Sequence, residues 1–353
     1  VAFASKHCAG RLVYPCPKKQ PDAFAAFMLE HMSRERYDCF IPMIDEVIVT
    51  VARNRERFAE LTNVVVVDGE TMEVARDKRR TIEFARAHGF THPQTFVVED
   101  LEELERLRDT VPYPAVIKPR VSSGAHGLVF VGRPEDLVAQ YHRIHRLYPF
   151  PLIQECIPPA SPKYQVCCLF NRRGEVRAAV VQRLHRQYPV RAGTGTCFET
   201  VERPDLRAFG VGLLEGLGWK GVACVELLED ARDGVVKLME INPRFWGTLA
   251  LAIQAGVDFP YLLYRVATEG DVEPHMDYNI GEVCRWMLPG EILHFLSNGR
   301  RWHLEPSFWR FRGPNVGYCL LSREDVRPVF EFFRIALMSL FDKEMLDFVF
   351  RRL

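Results

Sequence analysis

Short apolar runs alternate with longer segments of helical periodicity through the first 68 residues of the chain. The apolar runs predict strands at 11–14, 38–44 and 64–67, and the segments between them predict helices at 22–36 and 46–61. Because strands that alternate with helices usually form a parallel sheet, this pattern predicts a small open α/β domain.

After residue 112 the pattern changes to strands that follow one another closely. Residues 164–171 and 175–188 read as antiparallel strands joined by a short polar turn, and residues 222–228 and 235–242 read as a second such pair. One helix is predicted at 69–88, two apolar helices are divided at residues 256–258, and an amphipathic helix is predicted at 326–353. The middle of the chain is therefore predicted to form antiparallel sheets.

The second hairpin concentrates polar groups that suit a metal ion. Glu240 and Asn242 are two residues apart on one strand and share a face, while Glu226 on the other strand can meet them across the hairpin. Two carboxylates and an amide oxygen form the oxygen-only ligand set that Mg²⁺ prefers. Arg244 follows Pro243 at the same mouth. A solvated edge hairpin is the alternative, but the apolar flanks predict burial, and buried charges require partners.

The sequence MEINPRFWGTLALAIQAGVDFPYLLY, from Met239 to Tyr264, resembles the metal-binding core of the ATP-grasp superfamily. It is similar to the carboxylate-amine ligase branch and to the related ATP-binding domains of carbamoyl-phosphate synthase and biotin carboxylase. Further motifs follow in the family's order over about 170 residues: DK at 77–78, VIKP at 116–119, SSG at 122–124 and QECI at 154–157.

The resemblance implies a fold of mixed α/β and α+β class with three parts. An amino-terminal parallel α/β domain at 1–70, lacking its first β-α unit, precedes a two-lobed ATP-grasp domain with antiparallel sheets at 71–270, whose small lobe is at about 112–157. A carboxy-terminal extension at 271–353 is expected to be mostly helical at its end.

Candidate phosphate ligands lie on the helix at 69–88 and on a strand-loop-strand unit at 113–131. Backbone amides and hydroxyls of a loop of small residues can wrap phosphate oxygens, and Lys118 supplies a charge at its edge. The loop candidates are Ser122, Ser123 and Gly124. The resemblance implies that Lys78 and Lys118 both meet the nucleotide phosphates, although a lysine on a charged helix is usually solvated. The role of His126 in the loop is open.

The strand at 152–157 is broken by Pro158 and Pro159 and predicts a hinge. A broken strand edge leaves backbone groups that can pair with adenine. The resemblance assigns this role to the hinge, with the carbonyl of Glu155 and the N–H of Ile157 as contacts; the segment's candidates are Gln154, Glu155, Cys156 and Ile157. Lys163 stands where the family usually has a ribose-binding glutamate.

Basic residues at 183–191 precede a glycine-rich turn. From the residues alone, these basic side chains are equally well explained as solvated surface charge. In carboxylate-amine ligases, which the chain resembles, the corresponding segment borders the acyl substrate, so Arg183 and Arg191 are candidate carboxylate binders. Asp45 and Glu46 follow the predicted strand at 38–44, and substrates of open α/β sheets can bind at such carboxyl ends of strands. Asp45 is also a natural N-cap.

Composition narrows the partners. Lys plus Arg and Asp plus Glu number 46 each, which gives no net charge that would favour nucleic acid. Ten cysteines show no CxxC pair or metal-ligand spacing and suit reduced thiols in a cytoplasmic protein. No apolar run is long enough to predict a transmembrane segment. The final helix leaves three alternatives: packing on the enzyme body, pairing of two subunits in a homodimer, or contact with a membrane surface.

The resemblance implies a ligase that uses ATP and Mg²⁺, or Mn²⁺, to activate a carboxylate as an acyl phosphate and to couple it to an amine. Arg244 and Lys118 would act on the transferred phosphate, and the expected substrates are amino acids or small peptides. Two alternatives remain: an enzyme that uses bicarbonate, as in carbamoyl-phosphate synthesis or carboxylation, and a non-catalytic nucleotide-binding scaffold.

Overall fold

The computed structural model describes residues 1–122, 124, 126–322 and 324–339. Helices in this part of the chain are α1 (Pro21–Arg34), α2 (Asp45–Arg53), α3 (Arg55–Ala59), α4 (Gly69–Arg76), α5 (Lys78–Ala87), α6 (Leu104–Arg108), α7 (Pro134–His145), α8 (Pro204–Gly216), α9 (Leu249–Gln254), α10 (Phe259–Glu269), α11 (Ile292–Ser297) and α12 (Arg327–Ser339). Strands are β1 (Thr95–Phe96), β2 (Ala115–Lys118), β3 (Val129–Val131), β4 (Leu152–Glu155), β5 (Lys163–Phe170), β6 (Val176–Tyr188), β7 (Thr194–Thr200), β8 (Gly221–Glu229), β9 (Val236–Asn242), β10 (Val283–Arg285) and β11 (Val316–Tyr318).

Seven strands form a large sheet in the order β11-β10-β7-β6-β5-β8-β9. The neighbours are antiparallel except β10 and β11, which are parallel. The two hairpins predicted from the sequence are β5 with β6 and β8 with β9, and their antiparallel pairing is confirmed. The apolar side chains of these strands face two helical layers, so the large sheet forms the centre of the molecule.

A smaller sheet has the order β1-β4-β2-β3 and is antiparallel throughout. Its own apolar core includes Ile117 and Ile153 from the strands and Leu137 and Tyr141 from α7. A mixed sheet and an antiparallel sheet, each with its own core, confirm a mixed α/β architecture. The space between the two sheets holds the candidate site described below.

The parallel sheet predicted at the amino terminus is wrong in its extent. Between residues 1 and 70 the described chain has one parallel bridge, Cys39 to Asn63, and residues 11–14 and 64–67 are not strands. The apolar residues of α1 and α2, such as Phe24 and Val51, instead join the core formed on the large sheet. Packing against an existing sheet face buries these side chains without strand pairing, and so the periodicity alone overestimated the strands.

The helix predicted at 69–88 divides into α4 and α5 at Asp77. This carboxylate is buried, accepts a hydrogen bond from the Arg79 backbone N–H at 2.9 Å and forms an ion pair with Arg120. An N-cap aspartate that accepts from the first turn starts a new helix. The break places Lys78 at the first position of α5, where the Lys78 backbone N–H also donates to the Arg120 carbonyl at 2.9 Å.

The carboxy-terminal region adds β10 and β11 to the large sheet, which the expectation of a mostly helical extension did not include. Each strand has three residues, too few to show a period. Helix α12 lies beside the amino-terminal turn Ala2–Ala4, where Ser5 Oγ donates to Asp325 Oδ2 at 2.6 Å. The predicted continuation at 340–353 lies outside the described residues, and pairing of two subunits stays a prediction. None of the helices in the described part of the chain has the length and apolar character that crossing a membrane requires.

Candidate active site

A cavity of about 700 Å³ lies between the two sheets. The small sheet and its loop contribute Lys118, Ser122, Gly124 and Leu128, and the large sheet contributes residues of five strands. Sequence-predicted residues that line it are Lys78, Lys118, Ser122, Gly124, Lys163, Glu226, Glu240, Asn242 and Arg244. Ser123 lies outside the described residues. Most candidates that are far apart in the sequence therefore meet at one cleft.

Glu226 and Glu240 face each other directly across β8 and β9. Asn242 Nδ2 donates to Glu226 Oε1 at 3.1 Å and to Glu240 Oε1 at 3.3 Å, and Gln165 Nε2 donates to Glu226 Oε1 at 3.1 Å. The geometry brings together the two carboxylates and the amide that the hairpin pattern predicted. A third carboxylate is absent: no group of three or more His, Cys, Asp or Glu suited to a metal occurs among the described residues.

The two carboxyl groups differ in their ease of ionisation. Desolvation, and then the charge of Glu240, raise the pKa of Glu226 to about 7. Desolvation also opposes ionisation of Glu240, but the charge and hydrogen bond of Lys78, followed by the charge of Lys118, bring the pKa of Glu240 below its ordinary value. Two facing carboxylates that resist joint ionisation suit a divalent cation, which would stabilise both anions. The residues fit Mg²⁺ provided that the Asn242 amide turns its oxygen toward the ion, leaving other positions to phosphate and water.

Three lysines surround this acidic pair. Lys78 Nζ lies 3.0 Å from Glu240 Oε2 and donates to the Ser122 carbonyl at 2.9 Å. Desolvation, and then the charge of Lys78, lower the pKa of Lys118 to about 8. Lys163 donates to Gln187 Oε1 at 2.8 Å, and desolvation lowers the pKa of Lys163 as well. Cations that are costly to keep charged in the cleft favour an anionic ligand there, and a polyphosphate meets that requirement.

Arg244 is oriented by a residue from the distant amino-terminal region. Its Nε lies 2.9 Å from Asp45 Oδ1, and its Nη2 lies 3.4 Å from Asn242 Oδ1. Asp45 is the first residue of α2 and is about one-third exposed. Of the two acidic residues that the sequence suggested at this point, Asp45 is thus joined to the cleft through Arg244. The sequence could not predict the pairing of Asp45 with Arg244, because the two residues are 199 positions apart.

The hinge candidates lie at the end of β4, and they are absent from the cavity lining. Gln154 is buried and donates to Thr95 Oγ1 at 2.8 Å, and Cys156 and Ile157 are also buried. The Glu155 carboxylate accepts from Lys237 Nζ at 2.9 Å and pairs with Arg232. The Glu155 side chain therefore joins β4 to β9, which leaves only backbone groups of this segment for the predicted adenine contact.

The two candidate carboxylate binders differ in position. Arg183 pairs with Tyr164 across β5 and β6, so it points to the sheet face opposite Lys163 and Gln165. Its side chain is exposed, and no hydrogen bond or ion pair joins that side chain to a described residue. Arg183 is therefore not among the residues that line the cavity, and its role as a carboxylate binder stays a prediction. Arg191 lies over the Phe130 ring at 3.9 Å from its centroid, next to lining residues Ala192 to Gly195, and stays a candidate.

The sequence reading missed a polar group on the cavity floor. Gln165 and Thr248 line the cavity, and Thr248 Oγ1 donates to Gln182 Oε1 at 2.6 Å. Gln182 is fully buried, and its Nε2 has no hydrogen-bond partner among the described residues. Single polar residues that alternate with apolar ones in β5 and β6 were the available signal.

Asp230, in the turn between β8 and β9, provides a pH-dependent prediction. It is buried, accepts from Lys237 Nζ at 2.8 Å and from Arg232 Nε at 2.9 Å. The Arg232 hydrogen bond is the main cause that lowers the pKa of Asp230 below its ordinary value of 3.8. Because the pKa is lower in the folded state, the ionised Asp230 stabilises the fold at pH values above about 4. This contribution is lost progressively as the pH falls below about 4 toward the lowered pKa.

We expect Asp230→Asn to reduce the free energy of unfolding by roughly 2 kcal/mol at pH 7. The difference from the unmodified chain should shrink below about pH 4, as measured by urea unfolding at a series of pH values. Asp233→Asn in the same turn is the control, since Asp233 is exposed and its carboxylate accepts, among the described residues, only from the Val235 backbone N–H. An Asp230→Asn effect that is constant over the whole pH range would contradict the assignment.

Comparison with known proteins locates similarity in the same region. A family model described as "ATP-grasp in the biosynthetic pathway with Ter operon" matches residues 152–286, less than half of the chain. The chain is 22% identical over 248 residues to the amino-terminal section of the carbamoyl phosphate synthase large chain of Methanopyrus kandleri, which covers 62% of this chain and 43% of that protein.

Solved structures with the same architecture include two with different chemistry. The biotin carboxylase domain of Hydrogenobacter thermophilus 2-oxoglutarate carboxylase, in complex with MgADP, ADP and bicarbonate, has a TM-score of 0.64 at 16% identity, over 74% of this chain and 61% of that one. The L-amino acid ligase from Bacillus licheniformis has a TM-score of 0.55 at 17% identity, over 71% and 61%. At these identities the likeness establishes the fold, and this chain spans less than two thirds of each protein.

Proposed function

We propose that this chain, whose fold is that of the ATP-grasp superfamily, is an ATP- and Mg²⁺-dependent ligase that joins a carboxylic acid to an amine. The superfamily resemblance seen in the sequence is confirmed by the matched family model and the structural neighbours. The observation that carries the functional proposal is the facing pair Glu226 and Glu240, with Lys78 3.0 Å from Glu240. A metal site flanked by lysines in a cleft between two lobes suits phosphoryl transfer.

The metal ion, Mg²⁺ or Mn²⁺, would be held by Glu226, Glu240 and Asn242. When bound, it neutralises phosphate charge and orients the phosphate oxygens. Support comes from the donor set of this chain and from the MgADP complex of the Hydrogenobacter relative. The nucleotide would enter between the sheets, with its phosphates at Lys78, Lys118 and the loop at 122–124.

The proposed reaction has two steps. A carboxylate oxygen of the acid attacks the γ-phosphorus of ATP, the bond to the bridging oxygen breaks, and ADP leaves with that electron pair. The amine then attacks the acyl carbon, inorganic phosphate leaves, and the amine nitrogen loses a proton to solvent, which gives the amide. The first nucleophile is already an anion, so that step needs charge neutralisation more than a general base.

The residues of this chain meet that need in distinct ways. Lys78 and Lys118 offset the charge of the phosphates, and Arg244, held by Asp45, faces the transferred group. Arg191 remains a candidate for the substrate carboxylate. Ser122, Gly124 and Leu128, which line the cavity, would exclude water from the acyl phosphate, which otherwise hydrolyses.

Bicarbonate as the acid is the second candidate. It is favoured by the likeness to the carbamoyl phosphate synthase of Methanopyrus kandleri and to the biotin carboxylase domain of Hydrogenobacter thermophilus. The lining does not separate the two candidates, because the same cavity of about 700 Å³ would also hold the nucleotide.

The test is release of ADP and phosphate from MgATP in the presence of pooled carboxylic acids, each pool with and without mixed amines. Product formation that needs both an acid and an amine supports the ligase. Release that depends on added bicarbonate in carbonate-depleted buffer would transfer the assignment to the second candidate. Amino acids and small peptides form the first pools.

Lys78 provides a separate test of nucleotide binding. We expect Lys78→Met to raise the KM for ATP at least about tenfold, because one charge-assisted contact to phosphate is lost. Arg80→Met on the same helix is the matched control, since Arg80 pairs with Glu70 at the surface. Equal KM values for the two variants would remove Lys78 from the nucleotide site.

We also propose a reducing compartment, the cytoplasm, as the place of action. All ten cysteines belong to the described residues, and none of them forms a disulfide.

A further inference from the structure

Two neighbouring rows of side chains cross the large sheet on the face of the cavity. Strand register places these residues side by side in the first row: Glu240, Glu226, Gln165 and Gln182. It places these in the second: Leu228, Lys163, Leu184 and Phe198. On each shared strand the two rows are two residues apart, so both rows face the same side. The face is therefore acidic at β9 and β8, amide-bearing at β5 and β6, and apolar toward β7.

The apolar end is completed by the carboxy-terminal region. Beyond Leu184 and Phe198, the cavity is lined by four residues of three separate segments: Trp286, Cys319, Leu320 and Phe332. Trp286 follows β10, Leu320 follows β11, and Phe332 is on α12. This region thus has a role at the site, because it closes one end of the cavity with large apolar side chains.

Charge at this end of the cavity is sparse. The acidic residues among the described lining are Glu226 and Glu240, and both belong to the proposed metal site. An ammonium placed between Leu184 and Trp286 would lose its hydration without an acidic partner. A second carboxylate there would lie among apolar side chains, one strand spacing or more from Lys163. An uncharged apolar group would instead gain free energy by leaving water.

We propose that the acid substrate carries an uncharged apolar group, alkyl or aryl, which occupies this end while its carboxylate lies at the metal site. The assignment rests on the proposed ligase function and deepens it by naming the class of acid. Leu184 and Phe198 are two and three strand spacings from Glu226, a separation of about 10 to 15 Å. The amide of Gln165 lines this path and can hydrogen-bond polar atoms near the carboxylate.

The first measurement is kcat/KM for a homologous series of acids from butanoate to octanoate. The reaction is monitored by ADP release at saturating MgATP and with a fixed amine mixture. We expect about a fourfold gain for each added methylene until the end wall is reached. Adipate and 6-aminohexanoate, which place a charge at the far end of a six-carbon chain, should lose the gain seen for hexanoate.

Two variants test the residues that close the cavity. We expect Trp286→Ala and Leu320→Gln to flatten the dependence on chain length while leaving the KM for ATP unchanged. Leu320 is more than one-third exposed, so its replacement tests the idea even if Trp286→Ala does not fold. Trp302→Ala is the matched control, because Trp302 is 69% exposed and is not part of the lining.

Calorimetric titration of octanoate and adipate into the chain with a non-hydrolysable ATP analogue separates this inference from the ligase function. Tighter binding of octanoate, lost in Leu320→Gln, supports the apolar site even if no acid releases ADP, in which case the ligase proposal alone fails. ADP release that prefers adipate or short polar acids would keep the ligase and overturn the apolar site. Dependence on an apolar amine, with no preference among acids, would overturn it too.

Discussion

We expect Glu240→Ala to reduce ATP turnover at least about a hundredfold while the fold stays intact. Glu240 is the proposed metal ligand that pairs with Lys78, a proposed phosphate ligand, whose Nζ lies 3.0 Å away. Its loss removes one of two carboxylates from a set that contains no third acid, so the metal and the phosphates lose their common anchor. Steady-state ADP release gives the activity, and far-ultraviolet circular dichroism with thermal unfolding gives the state of the fold.

Glu229→Ala is the matched control for this experiment. Glu229 belongs to the same hairpin and is 29% exposed, close to the 24% of Glu240, but its partner is Arg203, outside the cavity. We expect Glu229→Ala to retain turnover within a factor of about three. Full activity of Glu240→Ala would contradict the metal assignment, and so would equal losses of ATP turnover in the two variants.

The largest expected effect on stability is at Glu291, which is buried between two arginines. Arg186 Nη2 lies 2.7 Å and Arg285 Nη2 lies 2.8 Å from Glu291 Oε2, and Thr196 Oγ1 donates to Glu291 Oε1 at 2.9 Å. All three charged side chains are at most 2% exposed. The arginines also donate to carbonyls of the 306–310 segment, so this group attaches the carboxy-terminal region to the large sheet.

We expect Glu291→Gln to lower the free energy of unfolding by about 3 to 5 kcal/mol, since it leaves two buried cations without a counter-charge. Urea unfolding followed by tryptophan fluorescence measures the loss, and Trp286 and Trp309 lie close enough to report local opening. Glu269→Gln is the control, because its pair with Arg265 lies at the surface, where an ion pair contributes little to stability. A Glu291→Gln effect no larger than that of the control would show that the buried pairing is not needed for stability.

The two hairpins, β5 with β6 and β8 with β9, were predictable because the sequence signals for each of them are local. Alternation along β8 and β9 puts Glu226, Glu240 and Asn242 on one face whatever the rest of the chain does. Lys118 and the loop after it were predictable for the same reason, since the strand, the loop of small residues and the second strand all lie within 20 residues of sequence. Their roles remain proposals, because residue type and spacing do not identify a ligand.

Contacts between distant segments were decided by the tertiary structure. Asp45 meets Arg244 across 199 residues, Asp77 breaks a helix because Arg120 reaches it from the small sheet, and Arg183 turns away from the cavity because of its register with Tyr164. Each depends on the relative placement of two elements, which periodicity within one element does not contain. The predicted amino-terminal sheet is reduced to a single bridge for a related reason, since the apolar residues there gain burial on a sheet formed elsewhere in the chain.

The amino-acid sequence thus determined the polar face of β8 and β9, because side-chain direction follows directly from strand alternation. It also determined the order of the motifs that we propose to bind phosphate. Tertiary structure alone decided that Trp286, Leu320 and Phe332 close the other end of the same cavity. These apolar residues have no mark in the sequence that separates them from core residues. Only packing of the last segments against the large sheet turns them toward the site.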